Sequence, residues 1–158
     1  MAMTNSSRYH GARLFVPVAG AIQELRADPG SGNVMNVTSW FKGVNSKSIG
    51  VTNVYAGTKI AAVGTGKPSD LSHMRVFYQT TNGDIRSIWF RGLGWGLDPT
   101  TIAHNIPLGA PISAFVQSTG GVVDGLVVVY TDANGVLTQR VSVNEQGQWG
   151  DPSPITAA

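Results

Sequence analysis

The sequence predicts an all-β protein built from repeated four-stranded antiparallel units, and three observations carry that prediction. Composition is the first: of 158 residues, only 13% are charged, 42% are hydrophobic, and there are 20 Gly and 8 Pro. Few charges with many turn formers suit short strands joined by tight turns. Second, alternating apolar and polar residues flank Asn-Gly pairs at Asn82-Gly83 and Asn134-Gly135. Such a pair between two strand patterns is a strong hairpin signal, because a tight primed turn needs positive φ there. Third, the pattern recurs. "GTKIAA" at Gly57 is echoed by "GAPISA" at Gly109, Tyr78 by Tyr130 and Asn82 by Asn134, all at an offset of 52 residues. Trp95 pairs with Trp149 at an offset of 54, which places a two-residue insertion in the last loop.

The middle unit is the clearest. Its strands are expected near Ile60–Val63, Arg75–Thr80 and Ile85–Phe90, with a short outer segment after Trp95. By alternation Trp89 and Phe90 face opposite sides, one toward the core and one toward a cleft. The apolar set Ile60, Ala62, Val76, Tyr78, Ile85 and Trp89 is expected to fill the space between units. A first unit precedes it: "ARLFVPVAGAIQELR" from Ala12 aligns with "MRVFYQTTNGDIRSI" if one residue is deleted at the turn. Arg13 then lies over Arg75, Phe15 over Phe77 and Ile22 over Ile85. This unit lacks the opening strand, and "SPITAA" from Ser153 is the candidate to supply it, in its own chain or a second one. The expected division is a disordered lead-in over 1–11, an incomplete first unit over 12–56, a second over 57–108, a third over 109–152 and a closing strand over 153–158.

Four-stranded units of this length are the blades of a β-propeller. Blades pack face to face, so three of them leave two apolar faces uncovered. About three blades per chain closing into a six-bladed ring as a homodimer would leave no open face. A three-unit sandwich or prism is the bland alternative.

Composition also excludes classes of function. Net charge is +2, from 11 basic and 9 acidic residues. The basic residues are dispersed, so no nucleic-acid or membrane-surface footprint is expected. With no cysteine, disulfides, thiolate metal sites and a cysteine nucleophile are excluded. His10, His73 and His104 lack metal-ligand spacing, and neither a metal nor a cofactor is expected. His73 and His104 read as solvated loop residues. Asp98-Pro99 and Asp151-Pro152 read as turns. No apolar run has the length of a membrane span, and the N-terminus has no secretory hydrophobic core, so a cytoplasmic or non-classically secreted protein is expected. No Gly-x-Ser-x-Gly, phosphate loop or dinucleotide fingerprint occurs.

At "TKIAAV", "MRVFYQTTNGDIRSIWFRGLGW" and the aromatic ending of each unit, the chain resembles the fungal fucose-specific lectins of the Aleuria aurantia type. The resemblance is good over Gly57–Pro99, weaker over Gly109–Pro152 and fragmentary over Ala12–Phe41. It implies sugar sites between blades, where one blade supplies an Arg and a Glu and the next supplies aromatics. Charged groups would fix vicinal hydroxyls and aromatic surface would cover the C–H face of a deoxy sugar. Carried over, the first cleft takes Arg13 and Glu24 with Phe90 and Trp95, although the turn between Arg13 and Glu24 is one residue short. The second takes Arg75 with Ser142 and Trp149, and Ser87 stands where the acid belongs. The third takes Val127 and Gln139, with Trp40 of a second chain, and lacks the arginine. Outside that resemblance, Arg13 and Glu24 read as a surface ion pair.

The implied function is non-catalytic recognition of L-fucose or a related sugar, with fucosylated glycans as partners. A different class stays open: a small-molecule binder or a pericyclase-type (Diels–Alder-like) catalyst on a degenerate lectin propeller. Such catalysis needs shape and few hydrogen bonds, so it leaves little sequence signature. A module used only for protein contacts is a third reading.

Overall fold

The computed structural model describes residues 2–6, 11–28, 39–64, 73–91, 94–119, 122–142 and 148–156. They form three antiparallel four-stranded sheets. The first is β1 (Ala2–Ser6), β2 (Gly11–Val18), β3 (Ala21–Asp28) and β4 (Ser39–Asn45), in that order. The second runs β5 (Ala61–Gly64), β6 (His73–Gln79), β7 (Ile85–Arg91) and β8 (Gly94–Leu97). The third runs β9 (Ile112–Thr119), β10 (Val122–Thr131), β11 (Leu137–Ser142) and β12 (Ser153–Pro154). The first strands of the three sheets, β1, β5 and β9, lie side by side. These are propeller blades in a row.

Two expectations are corrected. The first blade is complete, because Ala2–Ser6 pairs with β2 (Ala2 opposite Phe15, Ser6 opposite Gly11) where a disordered lead-in was expected. The terminal segment does not open that blade. Ser153–Pro154 pairs with Gln139 and Thr138 and forms the outer strand of the third blade in its own chain.

The turns show how the first blade tolerates its missing residue. Val18 is paired directly with Ala21, so the first hairpin has a two-residue turn with positive φ at both Ala19 (47°) and Gly20 (76°). In the turn of the second hairpin only Gly83 has positive φ (82°), while Thr80 N–H donates to the carbonyl of Asp84 and Gly83 N–H to that of Thr80. The Asn-Gly pair therefore makes a longer turn closed by a glycine bulge, where the sequence predicted the tight primed form. The bulge absorbs the extra residue. Phe15 faces Glu24 in the first blade just as Phe77 faces Ser87 in the second, so the register is kept. Gly83 is needed for a second reason: a Cβ there would stand 2.7 Å from the Ile106 carbonyl oxygen.

Two cores lie between the blades. Phe15, Ile22, Val51, Val54, Ile60, Met74, Val76, Tyr78 and Ile88 pack between blades one and two. Ala61, Val63, Phe77, Ile85, Ile102, Leu126, Val128 and Tyr130 are among those between blades two and three. The apolar set predicted for one interface is thus divided. Ile60, Ala62, Val76 and Tyr78 face the first blade, Ile85 faces the third, and Trp89 belongs to neither core. The strand β6 is buried on both faces because the middle blade is covered by two neighbours. Gln79, fully buried, ties the connection in place: its amide donates to the carbonyls of Ile106 and Pro107 and accepts Gly109 N–H.

Candidate functional site

The four residues predicted for the first cleft come together. Arg13 lies on β2 and Glu24 on β3, and their side chains form an ion pair at 2.7 Å. Phe90 on β7 and Trp95 on β8 come from the next blade, where they are register partners. The Arg13 guanidinium lies 5.3 Å over the Phe90 ring, and the Phe90 and Trp95 rings are 5.5 Å apart. An arginine held over a ring in this way gains cation–π attraction. Trp95 also sets its edge against Phe15, at 5.6 Å and 77°.

Local backbone makes room for the acid. The β3–β4 ladder is irregular between Gln23 and Leu25, so Glu24 sits at a bulge. Gly43 stands opposite, and a Cβ on it would lie 2.4 Å from Glu24 Oε2. That glycine allows a carboxylate to enter the sheet, where Oε2 accepts from Arg26 at 3.0 Å and from Val44 N–H at 3.1 Å. Glu24 is almost wholly buried (side chain 2% exposed), against 12% for Arg13 and 47% for Arg26. Arg26 was not predicted, although its signal was present: two residues after Glu24 on a strand, it shares that residue's face. Trp95 Nε1 is buried without a hydrogen bond. A buried N–H of this kind costs free energy until something accepts from it.

The second cleft repeats the skeleton. Trp149 presents its edge to Phe77 at 5.9 Å and 79°, and its Nε1 is likewise buried without a partner. Ser142 is paired with Trp149 as Phe90 is with Trp95. Arg75 does not lack an acid, however. Its guanidinium bonds Ser87 Oγ at 3.3 Å and the carboxylate of Asp98, a residue expected to be only a turn former. Asp98 does shape the turn, accepting Thr100 N–H on Oδ1 at 3.0 Å, but its Oδ2 also accepts from Ser87 at 2.9 Å. The sequence signal was weak, since Asp-Pro after a tryptophan reads first as a turn.

In the third blade Val127 and Gln139 occupy the register positions of Arg75 and Ser87, with Val127 buried and Gln139 half-buried. Trp40 pairs with Ala27 on β4, the place in the ladder that Trp95 holds opposite Phe90. Its side chain lies outside the described residues. Within one chain these two blades stand at opposite ends of the row, so the third cleft is not assembled. Of the histidines, His73 opens β6, where a loop was expected, and His104 is exposed with Nδ1 3.0 Å from Asp84 Oδ1. His10 lies outside the described residues. No group of three or more metal-ligating side chains forms among the described residues. No described helix is long and apolar enough to cross a membrane.

No protein-family model and no curated protein matches the chain. Solved structures do. AofleA from Arthrobotrys oligospora superposes with a TM-score of 0.75 at 19% identity, over 98% of this chain and 41% of that one. The BP39L lectin from Burkholderia pseudomallei gives 0.71 at 25% identity, over 98% and 40%. The Aleuria aurantia lectin, a six-bladed β-propeller described with a fucose recognition mode of its own, gives 0.64 at 18% identity, over 93% and 40%. The chain therefore spans about two-fifths of the proteins it resembles. Three blades, clefts between them and this likeness over nearly the whole chain identify the fold as that of the Aleuria aurantia-type β-propeller lectins.

Proposed function

We propose that this protein is a non-catalytic carbohydrate-binding protein that takes L-fucose or a related deoxy sugar in the cleft between its first two blades. The observation that carries the reading is the joint placement of Arg13 and Glu24 from one blade against Phe90 and Trp95 from the next. Arg13 offers donors and Glu24 an acceptor for vicinal hydroxyls. The two rings supply apolar surface for a C–H face and a methyl group at small entropic cost. An Aleuria aurantia lectin variant in complex with α-methyl-L-fucoside supports this choice of ligand. Titration calorimetry with that glycoside tests it. Binding that falls at least tenfold on Arg13→Ala is expected, and heat unaffected by that change refutes the site.

The same reading includes a homodimer. The free face of the third blade exposes Phe115 (49%) and Leu137 (46%), and the first blade exposes Val18 (46%). Two copies related by a two-fold axis would cover both faces and bring Trp40 of one to Gln139 of the other. Sites repeated around a ring would raise avidity for multivalent fucosylated glycans. Light scattering should report about twice the 16.6 kDa chain mass, and a monodisperse monomer would rule the ring out.

A further inference from the structure

The first two clefts share a tryptophan packed against a phenylalanine, Trp95 on Phe15 and Trp149 on Phe77, and differ at the arginine and at the position of Phe90. Arg13 keeps 12% of its side chain exposed and lies over Phe90. Arg75 keeps 4% and bonds both Ser87 and Asp98. The position of Phe90 is held in the second cleft by Ser142, which is fully buried and offers no ring.

Asp98 is itself fixed on every side. Its backbone N–H donates to the Ser87 carbonyl at 3.2 Å, one carboxylate oxygen takes Thr100 N–H, and the other takes Ser87 and Arg75. It arrives from the loop after β8, whereas Glu24 arrives from the hairpin that carries Arg13. Glu24 bonds Arg13 from a bulge beside a rim-exposed Arg26, while Asp98 closes a loop within its own blade onto Arg75. Both acids are buried and bonded, so the difference lies in the arginine: Arg75 is 4% exposed against 12% for Arg13, and drawing it away from Asp98 toward a sugar would leave an uncompensated buried charge.

We infer that Arg75 and Asp98 form a structural ion pair rather than a sugar site, so that the chain carries one sugar site, between blades one and two. This inference rests on the sugar-binding reading given above. The test is the stoichiometry of methyl α-L-fucoside binding, measured by calorimetry on the wild-type chain and on Arg75→Gln/Asp98→Asn, which removes both charges together. One site per chain is expected in both proteins, with dissociation constants within about twofold. Two sites per wild-type chain, or a halved number of sites in the double variant, would overturn the inference and leave the first cleft standing. A wild-type chain that binds no fucoside would overturn both. The wild-type stoichiometry decides the matter even if the double variant fails to fold.

Discussion

Replacing Glu24 with glutamine isolates the charge at the centre of the first cleft while keeping its shape. The carboxylate serves Arg13 through Oε1 and Arg26 and Val44 N–H through Oε2. A glutamine has one acceptor atom, so its amide must point donors at Arg13 or at the other two groups. Arg13 and Glu24 are 12% and 2% exposed, close to a fully buried pair, for which losing one partner costs about 3–5 kcal/mol. Arg26 is 47% exposed, and its share is at most about 1 kcal/mol. The lower end applies, because Arg13 can turn toward solvent over Phe90, and about 3 kcal/mol is expected. At roughly 2–4 °C per kcal/mol for a chain of this size, the melting temperature should fall by about 6–12 °C. Thermal denaturation followed by circular dichroism, at equal protein concentration, measures it. Glu24→Gln melting within 2 °C of the wild type would show that the carboxylate is not the organiser of the cleft.

Other outcomes follow from the same contacts. Phe15 is 1% exposed and carries the Trp95 edge, so Phe15→Ala should lower unfolding free energy by about 3–5 kcal/mol in denaturant titrations; a loss below 1 kcal/mol would mean that the blades do not pack through it. Tyr78 is buried between the first two blades, and desolvation pushes its pKa up to about 12, partly opposed by Arg86. Because the unfolded phenol ionises near its ordinary value of 10, stability is intact below that pH and declines as pH rises toward 12. Roughly 2–3 kcal/mol should be lost across that window, more steeply than in Tyr78→Phe, and parallel curves for the two proteins would contradict the assignment. Tyr130 shifts in the same direction by burial and adds to the decline.

Much of the second blade was readable because its signals agree with one another. Alternation, the turn glycine and the paired aromatics all specify one register, and His73–Gln79 and Ile85–Arg91 pair accordingly. The four residues of the first cleft were reachable only through the resemblance to the lectin family; the register explains why Arg13 and Glu24 share a face, but by itself it gives no more than an ion pair. Ala2–Ser6 escaped notice because five residues without an apolar alternation become a strand only by pairing with β2. The bulge at Glu24 depends on Gly43, about twenty residues away, and no local pattern announces it. Asp98 was misjudged for a different reason. Its side chain does form the expected turn, but one oxygen suffices for that, and the second reaches Arg75 across a fold that the local sequence cannot display.

The central claim is that a sugar sits between blades one and two, and a crystal structure with methyl α-L-fucoside tests it most directly. The sugar ring is expected between Arg13 and Glu24 on one side and Phe90 and Trp95 on the other. Sugar bound only beside Arg75, or absent from the first cleft at saturating concentration, would contradict it.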